Sequence, residues 1–285
     1  MTTTSPPEAP PALRLPGALV VGPQKAGTTW IHEYLAWRGD VTLPHQVKET
    51  FFFDRHWSRG LPWYAGHFRG EAEPAIEVAP TYFHEPQVDE RVVASLGRIP
   101  IVVTLRDPVK RTSSLWVHMR RYGMTDLPFR EALDRHPELL DSSRYATHLE
   151  KWRNAVGPEN VDVLFLEDLK RDPNTWAAGV CRILGLEPRD VPEELRRPVN
   201  EASVPTSHHL ARLGWRVSMG LRSLGLHAPV EAAKRLGLKS VFFGRPGDRP
   251  LPSPDPADLA YVRERLLPEI ERTERLLGVD LSRWK

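Results

Sequence analysis

The chain has 285 residues, with 39 Lys and Arg against 37 Asp and Glu and a formal net charge of +2. That length suits one large domain, and the near balance of charge is no nucleic-acid signature. The single cysteine, Cys181, excludes an intrachain disulfide and reads as a small core residue. No apolar run is long enough to span a membrane, and the N-terminus lacks the basic and apolar regions of a signal peptide, so a cytoplasmic protein is the expectation.

Residues 1–15 are rich in Thr, Pro and Ala and predict a disordered tail, followed by one folded domain over 16–285. Ala18-Leu19-Val20-Val21 predicts a buried strand. Gly22 and Gly27 then bracket a loop carrying Lys25, and Thr28 and Thr29 lead into helical spacing at Trp30, Ile31, Tyr34 and Leu35. Strand, glycine loop and helix together aim free backbone N–H groups at an anion. The spacing is close to the nucleotide P-loop, G-x-x-x-x-G-K-[ST], but the lysine lies inside the loop and Thr28 stands where that motif has lysine.

Downstream, Lys48-Glu49 precedes the triplet Phe51-Phe52-Phe53. Phe51, Phe52, Trp57, Trp63 and Tyr64 suggest an aromatic wall suited to a sugar face or an apolar molecule. Strands are predicted at 75–79, 100–105 and 161–166, the second of them central and parallel. Helices are predicted at 86–97, from 108 to about 122, and at 128–135, 143–155 and 173–184. Residues 186–206 read as irregular, 207–240 as an amphipathic helical stretch, and 244–256 as a long loop or lid. The apolar steps from Leu259 to Leu277 predict two consecutive helices, the second starting at Pro268. The alternation of strands and helices predicts an α/β fold: a central parallel sheet with helices on both faces, as in P-loop proteins. Ligands then bind beyond the carboxyl ends of the strands.

Arg106-Asp107-Pro108 follows the central strand, with Asp107 as N-cap and Pro108 at the first helical position. Arg106 faces the same crevice as the glycine loop, and Ser114 lies two turns into the helix. An arginine fork with a hydroxyl suits a phosphate monoester. Lys110 and Arg111 read as solvated helix charges. His118 shares a helix face with Ser114. Glu49, a carboxylate beside aromatic rings, is a candidate general base with a raised pKa.

These motifs resemble the sulfotransferases that use 3′-phosphoadenosine 5′-phosphosulfate (PAPS), and in particular the heparan-sulfate-type N- and 3-O-sulfotransferase branch with its bacterial relatives. The glycine loop is similar to the family's 5′-phosphosulfate loop, and Arg106 with Ser114 to its 3′-phosphate motif. Lys48-Glu49-Thr50-Phe51-Phe52-Phe53 resembles the Lys-Glu-x-x-Phe-Phe segment, in which the glutamate is the base; His118 matches a catalytic histidine of the N-sulfotransferases. Glu77-Val78-Ala79-Pro80-Thr81-Tyr82 resembles Glu-Lys-x-Pro-x-Tyr, with Val78 where that branch has an acceptor-binding lysine. Tyr145 to Trp152 resembles the Tyr-x-x-His-Leu-x-x-Trp helix, and Glu167-Asp168-Leu169 with Asp172-Pro173 its Glu-Asp-Leu…Asp-Pro segment. Arg245 and Arg249 fall where the family closes a basic loop over the nucleotide.

The resemblance implies sulfuryl transfer from PAPS, leaving 3′-phosphoadenosine 5′-phosphate (PAP). No metal is implied. Lys25, Ala26, Gly27, Thr28, Thr29 and Trp30 would bind the 5′ end and Arg106, Ser114, Arg245 and Arg249 the rest. Glu49, or else His118, would take the proton of a small-molecule, glycolipid or carbohydrate acceptor. A hydroxyl acceptor is expected ahead of an amine. A nucleotide kinase or ATPase, and an inactive nucleotide-binding module, are the alternatives.

Overall fold

The computed structural model describes residues 13–196 and 253–285. Residues 1–12 of the tail predicted over 1–15, the stretch at 207–240 and most of the 244–256 loop, with Arg245 and Arg249, lie outside the described residues.

Four short strands form one sheet: β1 (Ala18–Val20), β2 (Ile76–Val78), β3 (Ile101–Leu105) and β4 (Val161–Phe165), in the order β2-β1-β3-β4. Every pairing is parallel, with Ala18 opposite Ile76, Leu19 opposite Ile101 and Val103 opposite Val163. β3 is buried at all five residues, which is why it reads as an unbroken apolar run rather than an alternation. The side-chain period of two sends Leu19, Ile101 and Val103 into one core and Ala18, Val20 and Val102 into the other.

The second core is closed by α1 (Thr28–Arg38) and α10 (Pro173–Ile183), through Trp30, Ile31, Tyr34, Trp176 and Val180. The first lies under α2 (Phe52–Arg55), α3 (Gly60–Ala65), α4 (Val88–Leu96), α5 (Pro108–Arg121) and α8 (Tyr145–Val156). The short helices α6 (Phe129–Arg135), α7 (Glu138–Asp141), α9 (Leu166–Arg171) and α11 (Glu193–Arg196) fill the connections. α5 and α10 start as Asp-Pro predicts: Asp107 accepts from the N–H groups of Val109 and Lys110, and Asp172 from those of Asn174 and Thr175.

Three expectations are corrected. The C-terminal stretch is one helix, α12 (Pro256–Leu277), with Pro268 inside it. Pro268 lacks one intrahelical N–H bond, but Leu266 and Ile270 on either side are buried against the core, and that packing carries the helix through. Arg111 is not solvated: it is fully buried on the inward face of α5 and donates to Ser143 Oγ and the Leu139 carbonyl, tying α5 to α7 and the turn before α8. The 186–206 stretch, described as far as residue 196, contains α11, which Trp30 of α1 holds through the Leu195 carbonyl. Among the described residues no helix is long and apolar enough to cross a membrane.

The strand order places β1 and β3 side by side, with the chain leaving them in opposite directions across the sheet. Such a switch point opens a crevice at the carboxyl ends of the two strands. The Gly22–Gly27 loop leaves β1 there and Arg106 leaves β3 there.

Candidate active site

The loop after β1 turns through left-handed backbone at Gly22 (φ 32°), Lys25 (φ 71°) and Gly27 (φ 102°). A Cβ at Gly27 would stand 2.8 Å from Leu166 Cδ1, and one at Gly22 would stand 2.5 Å from Thr28 Cγ2. Both glycines are therefore required by space as well as by φ. Gly27 caps α1 without a side-chain bond, and the N–H groups of Thr28 and Thr29 find no backbone acceptor among the described residues. This leaves the positive end of α1 open to an anion.

Arg106 reaches the same loop, donating from Nη1 to the Lys25 carbonyl at 3.2 Å. Its own main chain is clamped on both sides. Tyr145 donates to the Arg106 carbonyl at 2.7 Å, and Glu167 accepts from the Asp107 N–H at 2.9 Å. The Tyr145–Trp152 and Glu167-Asp168-Leu169 motifs thus act as scaffolding for Arg106.

Opposite stands Glu49, its side chain 15% exposed. Burial raises its pKa above the usual carboxylate value and the Asp54 carboxylate adds to the rise, while Lys48 opposes it. Glu49 sits on a turn fixed from below. Glu77, fully buried at the middle of β2, accepts from the Thr50 N–H and hydroxyl and from Tyr64 and Tyr82. Tyr82 in turn accepts from the Phe52 N–H at 2.9 Å, across the left-handed Phe51 (φ 54°). With only neutral donors around it, Glu77 is pushed by burial up to about 7.

Burial, then the cations Lys25, Arg121 and Lys48, lower His118 to about 3, leaving its ring neutral near pH 7. Burial and the cations Arg106, Arg121, Lys48 and Arg111 likewise bring Lys25 down to about 8. A cluster in which cations suppress one another's charge is one that an anionic ligand would relax.

Lys25, Gly27, Thr28, Thr29, Trp30, Glu49, Arg106, Ser114 and His118 all line one cleft of about 590 Å³. Ala26 does not; it is fully buried. The aromatic wall is corrected: Phe52 and Tyr64 are fully buried and stack with centroids 4.5 Å apart, and none of the five wall residues lines the cleft. Trp30 packs against Tyr34 and Trp176 and donates to the Leu195 carbonyl at 2.8 Å, fixing α11 as a wall. Sequence reasoning missed Lys48, Lys170 and Arg196 as lining residues. For Lys48 the signal was its place beside Glu49; Lys170 and Arg196 carried none. Among the described residues no group of three His, Cys, Asp or Glu could hold a metal.

The parallel sheet, the switch-point cleft and the glycine loop opening a helix define a P-loop-like α/β protein. The family model for the sulfotransferase domain matches residues 15–207, and the chain belongs to that family of sulfuryl-transfer enzymes. It is 28% identical over 208 residues to a bifunctional heparan sulfate N-deacetylase/N-sulfotransferase of Drosophila melanogaster, covering 61% of this chain and 20% of that protein. It is 28% identical over 201 residues to the human bifunctional heparan sulfate N-deacetylase/N-sulfotransferase 2, covering 61% of this chain and 22% of that one. The chain thus spans about a fifth of the length of these relatives. A crystal structure of a sulfotransferase from Alicyclobacillus acidocaldarius shares the fold, with a TM-score of 0.68 and 21% identity over 95% of this chain and 98% of that one.

Proposed function

We propose that the protein transfers a sulfuryl group from PAPS to a hydroxyl, with an amine as the second choice, of a small-molecule, glycolipid or carbohydrate acceptor. The observation that carries this reading is the convergence of Lys25, Arg106, Ser114 and Glu49 on one cleft. The glycine cradle, whose space a Cβ would fill, and the N–H groups at the start of α1 that find no backbone acceptor among the described residues fit the 5′ end of the nucleotide. The Arg106 fork with Ser114 fits a 3′-phosphate, the group that separates this nucleotide from ATP. Bound, PAPS supplies a sulfuryl group on a phosphate leaving group. Lys25 is placed to stabilise negative charge at that bridge. Glu49, raised by burial, accepts the acceptor's proton at a carboxylate oxygen. A neutral His118 is suited to hydrogen bonding, and it is the second candidate for base.

The kinase reading needs an acidic metal ligand at the end of a later strand, and Arg106 occupies the end of β3. Calorimetry with PAP and ATP, then PAP release from PAPS with a panel of phenols, alcohols, glycolipids and N-desulfated polysaccharide, tests the proposal. Preference for ATP, or no turnover across the panel, would count against it.

A further inference from the structure

The segment leading to α2 brings a further cation into the cleft. Lys48 Nζ donates to Thr29 Oγ1 at 3.2 Å and to Glu49 Oε1 at 3.3 Å. It therefore bridges the first turn of α1 and the candidate base, nineteen residues apart in sequence from the first and adjacent to the second.

Apart from the Glu49 carboxylate, the surroundings of Lys48 disfavour a cation. The start of a helix is its positive end, where a cation is disfavoured. Lys48 also adds to the field that holds down both Lys25 and His118. Its bond to Glu49 works against base strength, by favouring the carboxylate over its protonated form. Stability offers no reason for such a lysine. Its side chain is 30% exposed, and exposed ion pairs contribute only about 0–1 kcal/mol. A part-exposed ammonium held between the anion loop and the base is positioned to meet a charged group that arrives between them.

We propose that Lys48 contacts the sulfuryl oxygens of the bound donor, exchanging its bond to Glu49 for that contact. The base is then freed only when a sulfated donor is in place. No covalent bond to Lys48 forms or breaks, and the proton of the acceptor passes to Glu49. This rests on the donor reading above.

The test compares two ligands that differ only in the sulfuryl group. Calorimetry on the full chain without acceptor gives the affinities of PAPS and PAP. The variant Lys48→Met is expected to lose roughly ten-fold or more in affinity for PAPS, the scale of a charge-assisted hydrogen bond, and less than about three-fold for PAP. Lys48→Gln, which keeps a polar group near Thr29, is expected to show the same split. Equal losses for both ligands, or no loss for either, overturn the role of Lys48 while leaving the donor reading intact. Failure of the wild-type protein to bind either nucleotide overturns the donor reading and this inference with it.

Discussion

Arg106 Nη1 and the carbonyl oxygen of Lys25 lie 3.2 Å apart, so the residue at the end of β3 steadies the loop at the end of β1. The glycine loop and the residue after β3 are one mechanical unit. Under the proposed reading, removing the guanidinium loses both the phosphate fork and the brace on the loop. Arg106→Ala is expected to weaken PAP binding by roughly 10–100-fold, and Arg106→Lys by less, since lysine keeps the charge without the fork. Calorimetry checks this, and unchanged PAP affinity in Arg106→Ala contradicts it.

Glu49→Gln keeps the shape of the side chain and removes the proton acceptor. Turnover is expected to fall by roughly 10²–10⁴-fold, with PAP affinity little altered. His118→Gln is expected to cost less, because burial and the nearby cations lower its pKa to about 3 and leave the ring a weak base. Steady-state rates for the two variants decide the order. A greater loss in His118→Gln reverses the assignment of the base.

Lys25 gives the site a pH dependence of definite sign. Its ammonium is held at about 8, and an anion favours the charged form, raising the pKa in the complex. PAP affinity should be greatest below pH 8 and decline as the pH rises beyond it, with proton uptake on binding above that point. Calorimetry at pH 7 and 9, in buffers of different ionisation heat, measures both effects. Lys25→Met should abolish the uptake. In the unliganded protein the sign is opposite for folding: the unfolded chain binds the extra proton between pH 8 and 10.5, so this group's contribution to stability improves across that window.

Glu77 contributes a slope in the acid range. Its carboxyl is raised from 4.5 to about 7, so the folded protein retains a proton that the unfolded chain releases. Its contribution is complete below pH 4.5 and is lost as the pH climbs through 7. Urea titrations of the wild type at pH 5 and 8 should show this fall, and Glu77→Gln should flatten it. An unchanged slope in the variant would place the pH dependence elsewhere.

The parts of the site carried by strand ends were legible in the sequence. Lys25 and Arg106 sit within a few residues of apolar runs, and parallel strands deliver their carboxyl ends to one edge. The Asp-Pro starts of α5 and α10 were equally local. What depended on long-range packing was not legible. Phe52 and Tyr64 look like a ligand wall in sequence but stack on each other in the core. Arg111 looks like a surface charge, yet Ser143 and Leu139, about thirty residues on, receive it inside. Pro268 signals a break, but the helix runs through because its flanking residues are buried. Lys170 and Arg196 become neighbours of the glycine loop only once α9 and α11 fold beside α1.

The described cleft is built wholly from residues between Gln24 and Arg196, whereas α12 supplies none of its lining. That helix nevertheless braces α8, where Glu269 accepts from the Thr147 N–H and hydroxyl and Arg272 pairs with Glu150. Since α8 carries Tyr145, which grips the backbone of Arg106, α12 is a remote buttress for the residue at the end of β3. Natural variation along α12 therefore offers a way to adjust Arg106 without altering a single residue that lines the described cleft.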